Sequence, residues 1–419
     1  MTRKEILERA LDFYGASRDA NGLPYRDLEK NAVDLKRLEK AVVSAAGAGI
    51  LEVRFESAET NPHIRRLPRH LVPDFEYNYG GHGLERSCVY PSVAKIAERL
   101  DLSRFKNEPY TERLWAGGNH LDLVFFELAV LDRYRDDPRF RYQQHFFGGS
   151  IHLKDEHYID EDFPEKDKSF LERFGIAYDP RGHRVLGVLL SDLRRLSPEH
   201  QRAWHSHEVT EPCKLNEATF NSLFLGKWSE FGSVFEALPA ELSVVNEMAR
   251  IAFGKRLFKN TFEDGVPSDY GVLLRPTKKE FLNFARALDL MLSENIDPAF
   301  FPGWVQKTRT VTKDDRETIE TVGSIQLLDE WLRRSFRATD GNPSNDVCKP
   351  MRDVRAQRSK ASHHNIEDVY DHSYEQKQRE LMHTGYGAVR TMRLILANYP
   401  GTDAVDVPEW LFNGDIKVP

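Results

Sequence analysis

Apolar residues recur at three- and four-residue spacing in some stretches of this 419-residue chain and at alternate positions in others. Residues 3–14 place Ile6, Ala10 and Phe13 on one helical face, and ANGLPYRD then breaks the pattern. From Asp34 to Ala46, Leu35, Leu38 and Val42 predict a second helix, ended by Gly47 and Gly49. ILEVRFE then alternates as a strand does. Helix, helix, strand fits a cap on the next domain or a small winged-helix-like unit. Further on, Leu121, Phe125, Leu128 and Leu131 predict a helix over Asn119–Tyr134, stopped by Asp136-Asp137-Pro138. Arg139–Ile159 alternates around Gly148-Gly149 and predicts strands, as does the apolar run Val185–Leu190. Ser197-Pro198-Glu199 is a helix start, with serine as N-cap and proline in the first turn. Phe220–Met248 is patterned mostly as helix.

The stretch 264–271, DGVPSDYG, has linker composition. After it come four helical stripes. Thr277-x-x-Glu280 predicts a capping box ahead of Phe281, Phe284, Leu288, Met291 and Leu292. Residues 303–322 form a polar insert with the look of a hairpin. Ile325, Leu328, Leu332 and Phe336 make the second stripe. Pro350 suits the first turn of the third helix, with Met351 and Val354 inward, and Leu381, Tyr386, Val389, Met392 and Leu396 define the fourth. One apolar face each predicts a bundle. The fold class expected is therefore α+β. A small N-terminal unit over 1–60 and a mixed domain over 61–265 precede an all-α C-terminal domain over 270–419.

Composition narrows the partners. The net charge of −7 excludes a surface that coats nucleic acid, so any such contact needs a local basic patch. Three widely spaced cysteines, Cys88, Cys213 and Cys348, argue against a disulfide framework and for a reducing cytoplasm. MTRKEILERALDFYG lacks the apolar core of a signal peptide, and no window approaches the roughly 20 apolar residues of a membrane span. A soluble cytoplasmic protein is expected, with no membrane association.

The chemistry gathers at one basic run. Lys349, Arg352, Arg355, Arg358 and Lys360 lead into the paired histidines His363 and His364, with helix-patterned segments on both sides. Cations that hold phosphate thus stand beside an imidazole that moves a proton. Arginine followed at similar spacing by histidine recurs at Arg65/His70, Arg113/His120, Arg139/His145, Arg195/His200 and Arg202/His207, but only Arg358/His363 lies in such a run.

With Arg358, then Ser359-Lys360-Ala361-Ser362, then His363, this last third of the chain resembles the HEPN superfamily. Many of its members are ribonucleases that need no metal or other cofactor. The resemblance implies a helical bundle, a two-fold homodimer with the site in its cleft, RNA as substrate, and a role as a regulated toxin or antiphage effector. Arg358 and His363 (or His364, one residue further) would be catalytic. Ser362, His364 and Asn365 are candidate supporting residues, and Arg352, Arg355 and Lys360 candidate contacts to the RNA backbone. On an unbroken helix, residues five apart differ in direction by about 140°. Convergence of Arg358 and His363 therefore needs the helix to end or bend between them, or a partner chain across a two-fold axis. The alternative is a non-catalytic binding or dimerisation module, with residues 60–265 sensing a ligand or partner.

Two other motifs carry chemistry. Gly148-Gly149-Ser150 followed by Asp160-Glu161-Asp162 has the outline of a nucleotidyltransferase site, although the nine intervening residues look like a strand where that fold opens a helix. His200, His205, His207 and Glu208 are of zinc-ligand type, with a five-residue spacing that does not match one helical face.

Overall fold

A computed structural model describes residues 1–56, 61–64, 84–145, 148–215, 219–221, 226, 232–313, 316–336, 342–362 and 367–417. It contains both helices and sheets and divides into two compact units. The first comprises Met1–Val130, Pro138–Tyr142 and Ser150–Leu215; the second comprises Leu131–Asp137, Gln143–Gly149 and Asn216–Pro419.

In the first unit, α1 (Arg3–Ala16) starts at a capping box between Thr2 and Glu5, and α2 (Leu35–Gly47) at the Asp34 carboxylate, which accepts from the Arg37 amide. Both helices appear where the periodicity puts them. Ile6, Ala10, Leu38, Val42 and Ala45 pack with Leu51, Val53 and Val89 of a three-stranded antiparallel sheet. That sheet has the order β1 (Leu23–Pro24), β3 (Ser87–Pro91), β2 (Leu51–Phe55).

A larger sheet has the order β5 (Phe140–His145), β6 (Gly148–Leu153), β7 (Phe170–Tyr178), β8 (Arg184–Leu189), β4 (Leu123–Phe126) and β9 (Glu208–Val209), with β10 (Lys214–Leu215) also on β7. Strands β7 and β8 form a hairpin in which the Asp179 carboxylate accepts from the Arg181 and His183 amides across the turn. The helix expected over Asn119–Tyr134 is replaced by β4, a 3-10 turn and a single helical turn, Asp132–Arg135. Val124 and Phe126 point inward at alternate positions, and β8 and β9 take the main-chain groups of β4 on its two sides. Sheet partners distant in sequence override a local helical spacing here.

The second unit is mainly helical: α5 (Val234–Phe253), α6 (Lys278–Met291), α7 (Ser324–Ser335), α8 (Pro343–Ser362) and α9 (Ser373–Leu396), following α3 (Pro109–Trp115) and α4 (Pro198–His205) of the first. The four helices expected after residue 270 are present. This unit is not all-α, however. The antiparallel hairpin β12 (Thr308–Lys313)–β13 (Arg316–Thr321) is the polar insert, and β11 (Gly232–Ser233) pairs in parallel with β14 (Ile416–Lys417). The unit also reaches back past the linker-like stretch, because α5 packs along α9. Helix α8 lies against α6, α7 and α9. Gly385 of α9 lets α6 approach closely, since a β-carbon there would stand 3.1 Å from Leu292 and 3.3 Å from Leu288. Pro343 rather than Pro350 opens α8, so Pro350 sits inside the helix. A proline has no amide hydrogen to give the carbonyl four residues back, at Asp346, which is an exposed residue.

Among the described residues no helix is long and apolar enough to cross a membrane.

Candidate functional site

Arg352, Arg355 and Arg358 follow one another at three-residue spacing along α8, which puts them on one side of the helix. Each meets a carboxylate. Arg352 donates to Asp329 of α7 at 2.7 Å; Asp329 also accepts from Arg333 Nε at 2.9 Å and from the Ser344 hydroxyl. Arg355 donates to the Ser293 hydroxyl at 2.7 Å and lies 3.7 Å from the Asp289 carboxylate. Arg358 donates through Nη1 to Asp289 Oδ2 at 2.8 Å and to Glu294 Oε1. Asp289 is 0% exposed and also accepts from the Ser293 hydroxyl. It is therefore a buried anion held between two arginines, the form in which a buried charge is tolerated.

Arg358 itself is 35% exposed. Its hydrogen bonds to Asp289 and then Glu294 raise its pKa above the ordinary arginine value, so it is a permanent cation. Both carboxylates use Nη1. Its Nε and Nη2 have no partner among the described residues, which leaves the planar edge that binds a phosphate in bidentate fashion. Arg358 lines a cleft of about 500 Å³ together with Arg286, Ala287, Leu290 and Glu294 on the α6 side and with Pro267, Ser268 and Asp269.

Of the sequence-derived site residues, Arg355 and Arg358 come together on Asp289, whereas Arg352 belongs to the separate Asp329 cluster. Lys360 and Ser362 lie in the last turn of α8, which runs through Ser362, so the helix is unbroken over the first four residues after Arg358. His363, His364 and Asn365 lie outside the described residues. Asp289, Glu294 and Arg286 escape a reading by motif. The available signal was a charge on an apolar face: Asp289 lies four residues after Ala285, among the inward positions of α6. Past the histidines, Asp368 accepts from the Lys279 amide at 2.8 Å and Val369 from the Lys278 amide at 2.9 Å, so the chain is pinned again at the start of α6.

The other motifs are taken up elsewhere. Ser150 is buried within β6, and Asp160, Glu161 and Asp162 form an exposed turn closed by the Asp162 amide on Asp160. His205 pairs with Glu208 at 3.1 Å and His207 with Glu127 at 3.1 Å, while His200 is buried 4.0 Å from Asp167. The histidines thus face different carboxylates, and no group of three metal-ligating side chains occurs among the described residues. The expected capping box on α6 is half present: Thr277 accepts from the Glu280 amide, but the Glu280 carboxylate takes Arg135 and the Leu274 amide.

The Asp329 cluster gives a pH prediction. Burial favours the neutral acid, but hydrogen bonds from Ser344, Arg352 and Arg333 outweigh it and hold the carboxyl below its ordinary value. A folded-state pKa below the unfolded value of about 3.9 means stability that is full above that pH and lost as pH falls through the folded pKa. Urea midpoints of wild type and Asp329→Asn are expected to differ at pH 7 and converge below about pH 4; a constant difference would refute the assignment.

Compared with protein-family models, curated proteins and solved structures, the chain matches none.

Proposed function

We propose that the second unit is a metal-independent endoribonuclease of the HEPN type, with Arg358 and His363 as its catalytic pair. The observation that carries this reading is the state of Arg358. Asp289 and Glu294 fix it through Nη1, its Nε and Nη2 have no partner among the described residues, and the side chain lines a cleft. A pre-positioned guanidinium of this kind stabilises charge that develops on a phosphorane.

The reaction uses the substrate's own nucleophile. His363 accepts the proton of the RNA 2′-hydroxyl as its oxygen attacks the adjacent phosphorus. The O2′–P bond forms, the P–O5′ bond breaks, and the departing 5′-oxygen takes up a proton. The products are a 2′,3′-cyclic phosphate and a 5′-hydroxyl. A homodimer and a toxic or antiphage role follow from the same family resemblance. A second reading, a non-catalytic binding or dimerisation module, draws on the satisfied Arg352 and Arg355, which then serve only to hold α6, α7 and α8 together.

The test is a matched pair of labelled single strands, RNA and DNA, incubated with the whole protein in excess EDTA. RNA cut to cyclic-phosphate ends beside intact DNA is the expected result. Cleavage of both strands, or of neither, would sink the nuclease reading; the second of these favours the binding module.

A further inference from the structure

The cleft beside Arg358 contains two charges that are unpaired among the described residues. Arg286 is exposed on α6 and Asp269 is half-buried; neither has a hydrogen bond or ion pair among the described residues, with each other or with any neighbour. Unlike the arginines of α8, Arg286 has no carboxylate partner among the described residues. It lies three residues before Asp289, which anchors Arg358, and seven after Lys279, which holds Asp368. The half-exposed Leu290 and Pro267 give the same cleft an apolar wall.

We infer that this cleft is a ribonucleotide site, with Arg286 and Arg358 as its two phosphate-binding cations and Asp269 as the acceptor for ribose hydroxyls. The ligand must bring an anion to Arg286, hydrogen-bond donors to Asp269 and a flat apolar face to Leu290. A ribonucleotide has a phosphate, a vicinal diol and a base, and it matches the volume of about 500 Å³. A lone phosphate leaves Asp269 facing an anion, and a deoxynucleotide offers it fewer donors. The inference rests on the proposed phosphate role of Arg358 and extends it to two residues that no motif marks.

The probes are fluorescein-labelled RNA and DNA octamers, whose anisotropy is followed with full-length protein in the His363→Ala background, each probe checked for integrity afterwards. Neither Arg286 nor Asp269 is paired among the described residues, so Arg286→Ala and Asp269→Ala are expected to keep the parent melting temperature. Loss of one charge-assisted contact predicts that Arg286→Ala weakens both probes about tenfold. It also flattens the slope of log affinity against log salt by about 0.7. Asp269→Ala is expected to erase the preference for RNA over DNA. Unlabelled adenosine 5′-monophosphate that displaces the RNA would identify a free nucleotide as the occupant; failure to displace it would identify a strand. Equal displacement by inorganic phosphate or by a free amino acid would overturn the ribonucleotide assignment, as would affinities unmoved by both substitutions. The nuclease reading fails separately: Arg286-dependent binding by a wild type that never cuts RNA keeps this site and removes that activity. Undiminished affinity in an Arg286→Ala protein that still cuts does the reverse.

Discussion

The His363→Ala protein is expected to cut RNA about 10²–10⁴ times more slowly than wild type, the range for loss of a general acid–base group. Its far-ultraviolet circular dichroism and oligomeric state are expected to stay as in the wild type. Arg358→Ala is the companion measurement. Removing a fixed donor at the developing oxyanion is worth about 10²–10³ in rate. Asp289 still keeps Arg355 and Ser293 when Arg358 is gone, so the buried carboxylate is not orphaned and the helices stay packed. The two variants together separate a proton-transfer role from a charge-stabilising one. A rate–pH profile loses its near-neutral limb with His363 but only its height with Arg358. His364→Ala serves as the internal reference: full activity there with loss at His363 assigns the proton transfer to His363, and the opposite pattern assigns it to His364. Turnover untouched by all three substitutions would end the catalytic reading of this run.

The largest expected effect on stability lies elsewhere in the second unit. Arg393 of α9 donates through Nε to Glu241 of α5 at 2.6 Å and through Nη2 to the Leu411 carbonyl at 3.3 Å. The two side chains are 2% and 0% exposed. Burial pushes the Glu241 carboxyl up, and Arg393 opposes that push. Glu241→Ala strands the guanidinium in a dry interior and is expected to cost about 3–5 kcal/mol, the usual cost of removing one partner of a buried pair. For a unit of this size the melting temperature should fall by about 10 °C, readable by calorimetry. Replacing both partners, Glu241→Leu with Arg393→Met, is expected to recover most of that loss, because a fully apolar pair has no ion to desolvate. A single substitution that costs less than about 1 kcal/mol would show that water reaches the pair.

Much of this architecture is written locally. Thr2 with Glu5, Asp34, Ser197 and Thr277 each start a helix where the sequence places one, because a side-chain acceptor for the first free amides is a short-range device. The polar insert folds as the β12–β13 hairpin for a similar reason: its strands are neighbours in the chain. What the sequence hides depends on distant partners. Strand β4 is chosen by β8 and β9, some 60 to 80 residues later, over a spacing that also suits a helix. The membership of α5 in the second unit depends on α9. Within the site, the arginines of α8 were legible as cations, but their partners were not. Asp289 looks like an interruption of an apolar stripe until α8 lies against it, and Arg286 looks like any exposed helix charge until a cleft forms around it.

The pairing of α5 with α9 also has a consequence in time. Glu241 and Arg393 are separated by 152 positions, and a ribosome adding roughly 5–20 residues per second needs about 8–30 s to cover that interval. Throughout it α5 exists without the surface it is patterned to bury, and α6, α7 and α8 emerge before the helix that packs against three of these four. The packing of the second unit therefore waits for α9, and until α9 emerges the nascent chain holds the arginines of α8 and the cleft residues without the bundle that arranges them.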